Sequence, residues 1–148
     1  MIERIPCVGV IMFNPSGQVL LQQRDNKPNL SFAGCWTLFG GRVEPGETPD
    51  EAMGRELLEE LDLEAGKDLL LTHWRVYDEP WRDVIVEQHV YYAPFDRAVE
   101  RMVLHEGQAM GYFTPAQIQN LPVAFFFPSV LNEFFAELPA LFATPEER

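Results

Sequence analysis

Cysteine is nearly absent: only Cys7 and Cys35 occur in 148 residues, in separate segments and without Cys-x-x-Cys spacing. The expectation is two reduced, partly buried thiols in a cytoplasmic protein. Basic residues are also scarce, with 11 Lys and Arg against 23 Asp and Glu, for a net charge of −12. So acidic a chain lacks the clustered cations that hold a nucleic-acid polymer or an anionic membrane, and both are excluded as passive partners. No apolar run reaches the roughly 20 residues that cross a bilayer. The opening Met1-Ile2-Glu3-Arg4-Ile5-Pro6 carries an early acid and is unlike a signal peptide. Three histidines, His73, His89 and His105, lack ligand spacing such as His-Glu-x-x-His and are assigned to no metal. Internal repeats, low-complexity tracts and linker-like segments are missing too.

What is present suits a globular chain, with 47% hydrophobic and 23% charged residues. The length fits a single domain over residues 1–148. The acid excess favours divalent cations, and a polyanionic substrate would need such a cation to approach. The apolar run Ile5 to Phe13, the turn Asn14-Pro15-Ser16-Gly17 and the run Val19 to Arg24 read as a hairpin. Asp25 to Gly34 is a loop, and Trp36 to Phe39 a short strand punctuated by Gly40-Gly41. Leu69 to Tyr77 and Val84 to Tyr92 read as strands joined through Asp78 to Asp83, and Gly111 to Phe113 as another. Helices are expected from Thr48 to about Leu61, from Thr114 to about Leu121, and over about Pro128 to Glu137. Strands outnumber helices, which predicts an α/β fold on a mixed sheet.

The first helix carries the chemistry. Thr48-Pro49-Asp50-Glu51 supplies an N-cap, a proline at the first helical position and a capping-box glutamate. With Gly54 at zero, Leu57, Leu58 and Leu61 fall at about 300°, 40° and 340° and form an apolar stripe. Glu56, Glu59 and Glu60 fall at about 200°, 140° and 240°, on the opposite face. On the wheel alone a solvated acidic face is the commoner explanation. Three mutually repelling carboxylates at this spacing also suit Mg²⁺ or Mn²⁺, which prefer carboxylate oxygen.

What precedes the helix decides between them. Gly41, five residues, Glu47, seven residues, then Arg55-Glu56-Leu57-Leu58-Glu59-Glu60-Leu61-Asp62-Leu63 resembles the Nudix box. A chance match is on the order of one in a million or less for a chain of this size. The sequence, in the block from Trp36 to Leu63, therefore resembles the Nudix hydrolases, and their MutT-like branch in particular. Two positions depart from the pattern. Asp62 stands where the box has glycine, at a helix end where a left-handed backbone is common and Asp is tolerated. Phe39 stands where many relatives have proline, which bears on substrate subclass.

The resemblance implies a Nudix-type α/β/α sandwich on a mixed sheet, with the box as loop–helix–loop. It implies metal-assisted attack of water on a phosphoanhydride, in a nucleoside diphosphate linked to another moiety such as a nucleoside triphosphate or nucleotide sugar. Carried over by position, Glu56, Glu59 and Glu60 are metal ligands with the backbone carbonyl of Gly40. Arg55 orients them by pairing with Glu47, and Gly41 and Glu47 are structural. MutT-like relatives draw a further acid from a Glu-Gly-Gln stretch, matched by Glu106-Gly107-Gln108, so Glu106 is the candidate ligand and base, with Glu56 the other candidate. Arg24 occupies a place where such relatives put an arginine near the substrate phosphate. The region from Leu121 to Ser129 offers no asparagine for reading oxidised guanine, and Asn120 is off that position. Aromatic residues Trp36, Trp74, Tyr77, Trp81, Phe95 and Phe125 to Phe127 include candidates for a base-stacking wall, though most belong to the core or to a homodimer interface. The alternative is a non-catalytic Nudix-fold module that senses a ligand or binds a protein; loss of box acids would mark it, and all three are present.

Overall fold

The computed structural model describes residues 2–142. The outermost residues of the expected 1–148 domain lie outside that range. Seven strands form one mixed sheet: β1 Glu3–Phe13, β2 Val19–Gln23, β3 Trp36–Thr37, β4 Phe39–Arg42, β5 Thr72–Trp81, β6 Val84–Pro94 and β7 Ala109–Phe113. The helices are α1 Pro49–Leu61, α2 Pro115–Ile118 and α3 Phe127–Phe142, with a 3₁₀ turn at Val99–Arg101.

The central strand β1 pairs in parallel with β6 along its whole length, from Glu3 opposite Val84 to Phe13 opposite Pro94. Its other edge is divided. Cys7 to Val10 pair with β4, whereas Met12 and Phe13 pair with β2. The turn between β1 and β2 is built by Asn14, whose Oδ1 accepts from the backbone N–H of Ser16 at 3.1 Å and Gln18 at 2.9 Å.

Strand alternation sorts the apolar residues into two layers. Val8, Val10 and Met12 join Tyr91, Ala93 and the α1 residues Ala52, Met53, Leu57 and Leu61 on one face. Ile11, Phe13, Leu21 and Val90 meet Ile118, Val130, Leu131 and Phe134 of α2 and α3 on the other. The result is an α/β/α sandwich. No helix among the described residues is long and apolar enough to cross a membrane.

Several boundaries depart from the sequence reading. Gly40-Gly41 does not punctuate a strand but lies inside β4, opposite Gly9 and Val8 of β1. Strand β5 begins at Thr72 rather than Leu69, because Leu69 turns back to bridge Ala65 and buries its side chain. The residues Asp78 to Trp81 continue β5 to a two-residue turn at Arg82-Asp83. An edge strand tolerates Pro80 and the two acids, since its outer side needs no partner. Helix α3 runs longer than expected, starting at Phe127.

Helix α1 follows its sequence signals closely. Thr48 Oγ1 accepts from the Glu51 N–H at 3.2 Å and Glu51 Oε1 accepts from the Thr48 N–H at 2.9 Å. The Tyr91 hydroxyl donates to Asp50 in the first turn, tying the helix start to β6. Asp62 ends the helix in the left-handed conformation, with φ 56° and ψ 30°. Glycine adopts that backbone without the Cβ penalty. Asp62→Gly is expected to stabilise the fold by about 0.5–1 kcal/mol, read as a raised midpoint in chemical denaturation.

Candidate active site

The buried side of α1 is turned from the one the wheel predicted. Leu58, expected in the apolar stripe, is 57% exposed, whereas Glu60, expected on the solvent face, is 2% exposed. Centred on Met53, Leu57 and Leu61, the buried arc sits about 50° from the predicted centre. Helical periodicity reveals a stripe, but its edges are set by where the sheet lies. One edge here holds an acid.

Glu60 is held beside β2, where the Gln22 amide donates to its Oε1 at 3.4 Å. Its Oε2 is buried and meets no donor among the described residues. Glu56, Glu60 and Glu106 each offer a carboxylate oxygen, all within 4.8 Å of one another. Burial pushes the Glu60 carboxyl up to about 9, helped by the Glu106 carboxyl beside it and the charge of Glu56. Burial likewise raises Glu56, although Arg55 draws it back. An oxygen-only donor set with one buried orphan oxygen is what a hard divalent cation would satisfy. The residues therefore fit such an ion.

Each acid is delivered by a different device. Glu56 lies against Gly41, where an added Cβ would come within 2.4 Å of Glu56 Oε1, so the carboxylate occupies the space that the glycine leaves. Arg55 forks onto Glu47, through Nε at 2.6 Å and Nη2 at 3.0 Å, and holds that carboxyl below its usual range. The same guanidinium donates to Glu56 Oε1 at 3.1 Å, Glu59 Oε2 at 3.3 Å and the Arg42 carbonyl at 3.0 Å. Glu59 stays outside the three-acid group and is exposed. Glu106 is carried by a loop clamped on both sides. His105 N–H donates to the Glu60 carbonyl at 2.9 Å, and Gln108 N–H to the Gln23 carbonyl at 2.9 Å. Gly107, at φ 84°, lies so close to β2 that a Cβ would sit 2.7 Å from the Gln23 oxygen.

Glu60, Glu106, Gly40 and Gly41 line one end of a cavity of about 830 Å³. Phe32, Trp81 and Phe125 line it elsewhere, with ring centroids 4.7 to 6.0 Å apart. Arg24, also on the wall, donates Nε to the Ser31 carbonyl at 3.0 Å and lies over the Phe125 ring at 5.2 Å. Its other guanidinium nitrogens donate to no described residue.

The NUDIX domain family matches residues 3–134. The chain belongs to the Nudix hydrolase family. An Escherichia coli CTP pyrophosphohydrolase is 32% identical over 109 residues, covering 73% of this chain and 75% of that protein. An RNA pyrophosphohydrolase of Azorhizobium caulinodans is 39% identical over 79 residues, 52% of this chain. The match spans about half the length of that relative, 47%. The solution structure of the Escherichia coli ORF135 protein superposes with a TM-score of 0.76 at 28% identity, covering 97% of this chain and 96% of that one.

Within this Nudix chain, Gln22, Gln88 and Phe32 are among the cavity residues that escaped the sequence reading. The glutamines left one signal, a polar residue inside an apolar strand. Phe32 left none, being an aromatic in a loop.

The Nudix acid cluster has a consequence for pH. A Glu60 carboxyl raised to about 9 stays protonated in the fold while the unfolded chain ionises near 4.5. The fold then binds the extra proton, and stability falls as pH rises through that window. In metal-free protein Glu60→Gln is expected to remove this slope and to raise stability at neutral pH by about 1–3 kcal/mol. Melting curves of both proteins across the window, with and without Mg²⁺, check it; the cation is expected to stabilise only the wild type.

Proposed function

We propose that this chain is a metal-dependent pyrophosphohydrolase that cleaves the phosphoanhydride of a nucleoside diphosphate linked to another moiety, a nucleoside triphosphate first among them. The observation that carries this reading is the convergence of Glu56, Glu60 and Glu106, the last two of which line a nucleotide-sized cavity that aromatic rings line as well. The pyrophosphohydrolase relatives support the reaction class. The net charge of −12 favours a small nucleotide over a polymer whose every phosphate would be repelled.

Glu56, Glu60 and Glu106, with the Gly40 carbonyl, would hold the cation, Mg²⁺ or Mn²⁺. Glu59, outside that group and tied to the same Arg55, would be a further ligand. The cation, when bound, supplies positive charge against the diphosphate oxygens. Glu106, the exposed member of the three, takes a proton from water as its oxygen bonds to phosphorus and the bridging P–O bond breaks. Arg55 is a positioning residue: braced by Glu47, it holds Glu56 and Glu59. Arg24 turns its unpaired guanidinium nitrogens to a substrate phosphate. The rings of Phe32, Trp81 and Phe125 receive the base.

A hydrolysis panel of nucleoside triphosphates and nucleotide sugars, with Mg²⁺ or Mn²⁺, tests the reading on wild type and Glu60→Gln. Equal formation of nucleoside monophosphate by both proteins would assign the activity to a contaminant. Glu106→Gln is expected to cut turnover by about 10²-fold or more while the protein still folds; an unchanged rate moves the base to Glu56. Arg55→Lys, unable to fork, should lower kcat by about tenfold and leave KM near wild type.

A further inference from the structure

Gln88 on β6 is 4% exposed and lines the same cavity, yet it serves neither the acid cluster nor the core. Its Nε2 donates to the His89 carbonyl at 3.2 Å, and its Oε1 accepts from no described residue. That oxygen is not sealed in protein either, since the fully buried orphan among the described residues is Glu60 Oε2. The amide cannot be reversed without setting oxygen against the His89 carbonyl, so the polarity of its free end is fixed. Nor has it much room to swing. A Cβ at Gly9, on the neighbouring strand, would lie 3.2 Å from Gln88 Nε2, so the side chain occupies the space that a glycine leaves in β1. An acceptor held this way, within a cavity walled by aromatic rings, asks for an N–H from a flat ligand.

Resting on the pyrophosphohydrolase reading of this site, we infer that Gln88 reads the edge of the nucleobase and selects bases bearing an exocyclic amine over their keto counterparts. The amine N–H of a cytosine- or adenine-type base donates to Gln88 Oε1, while the second N–H of Gln88 Nε2 donates to the adjacent ring nitrogen. A keto base of the same shape sets oxygen against oxygen. Glu79, Asp83 and Asp25, on the walls of the same cavity, bias it further towards donors. Discrimination against the keto analogue arises because a buried acceptor would be left facing another acceptor.

The test measures binding of non-hydrolysable α,β-methylene triphosphates of cytidine and uridine, and of adenosine and inosine, by calorimetry with Mg²⁺. Wild type is expected to prefer each amino member by at least about tenfold. Gln88→Met, of similar shape but without polar atoms, should bring both ratios within about twofold. Equal affinities in wild type, or an unchanged ratio in Gln88→Met, overturns the inference. So does an equal loss for amino and keto ligands in Gln88→Met. Turnover separates the two readings. Wild type that prefers amino analogues but hydrolyses no nucleotide defeats the enzymatic reading and leaves Gln88 as a base reader. Hydrolysis with equal kcat/KM for amino and keto substrates does the reverse, and absence of any binding overturns both.

Discussion

A carboxylate closed off from solvent and crowded by two others is the constraint around which this molecule is arranged. Glu60 is set into the side of a helix that also buries Met53, Leu57 and Leu61, so its carboxyl cannot turn away without unpacking α1 from the sheet. Glu56 and Glu106 are brought within 4.8 Å of the same point by separate parts of the chain. Like charges at that distance in a poorly solvated place oppose folding unless protonated or neutralised. The surroundings answer with one braced guanidinium at the rim and place no cationic side chain of the described residues at the centre. Arg55 can hold the cluster's outer edge because its own charge is anchored on Glu47. A lysine would supply charge without the fork.

What the sequence made legible was local. The capping box, the proline at the first helical turn, the Asn14 turn and the left-handed Asp62 all follow from residues within a few positions of one another, and each stands where it was read. The phase of α1 did not follow, because Leu58 and Glu60 exchange places only once the sheet is known to lie on one side. The acids of the box could be named from their spacing. That Glu106 meets Glu56 and Glu60 while Glu59 stays outside depends on a loop docking across β2, which no periodicity records. Gln88 is harder still. Its meaning depends on β6 lying parallel to β1, a pairing between segments far apart in the chain, and on Gly9 vacating the neighbouring space.

The cavity joins two chemistries that the chain keeps apart in sequence. Its acidic wall comes from β4, α1 and the loop before β7, and its aromatic wall from the loop after β2, the end of β5 and the segment before α3. The aromatic wall is held in an unusual backbone state. Phe32 and Phe125 have φ of 54° and 57°, and Arg82, stacked over Trp81, has 57°. A left-handed backbone costs about 1–2 kcal/mol at a residue with a Cβ. Two bulky rings kept in it, touching each other at 4.7 Å, show the fold favouring ring placement over local comfort.

The clamp at Glu106 also sets how such a scaffold can vary. Hydrogen bonds from His105 to the end of α1 and from Gln108 to the end of β2 enclose the acid within a four-residue span. The segment upstream, from the end of β6 through the 3₁₀ turn, carries no comparable anchor to the acid cluster. Lengthening or shortening that upstream stretch alters the molecule's outline while the carboxylate keeps its station. A single residue gained or lost between the two anchors would swing it out of reach. Evolution and protein engineers thus inherit the same rule: the approach to the acid is negotiable, its mount is not.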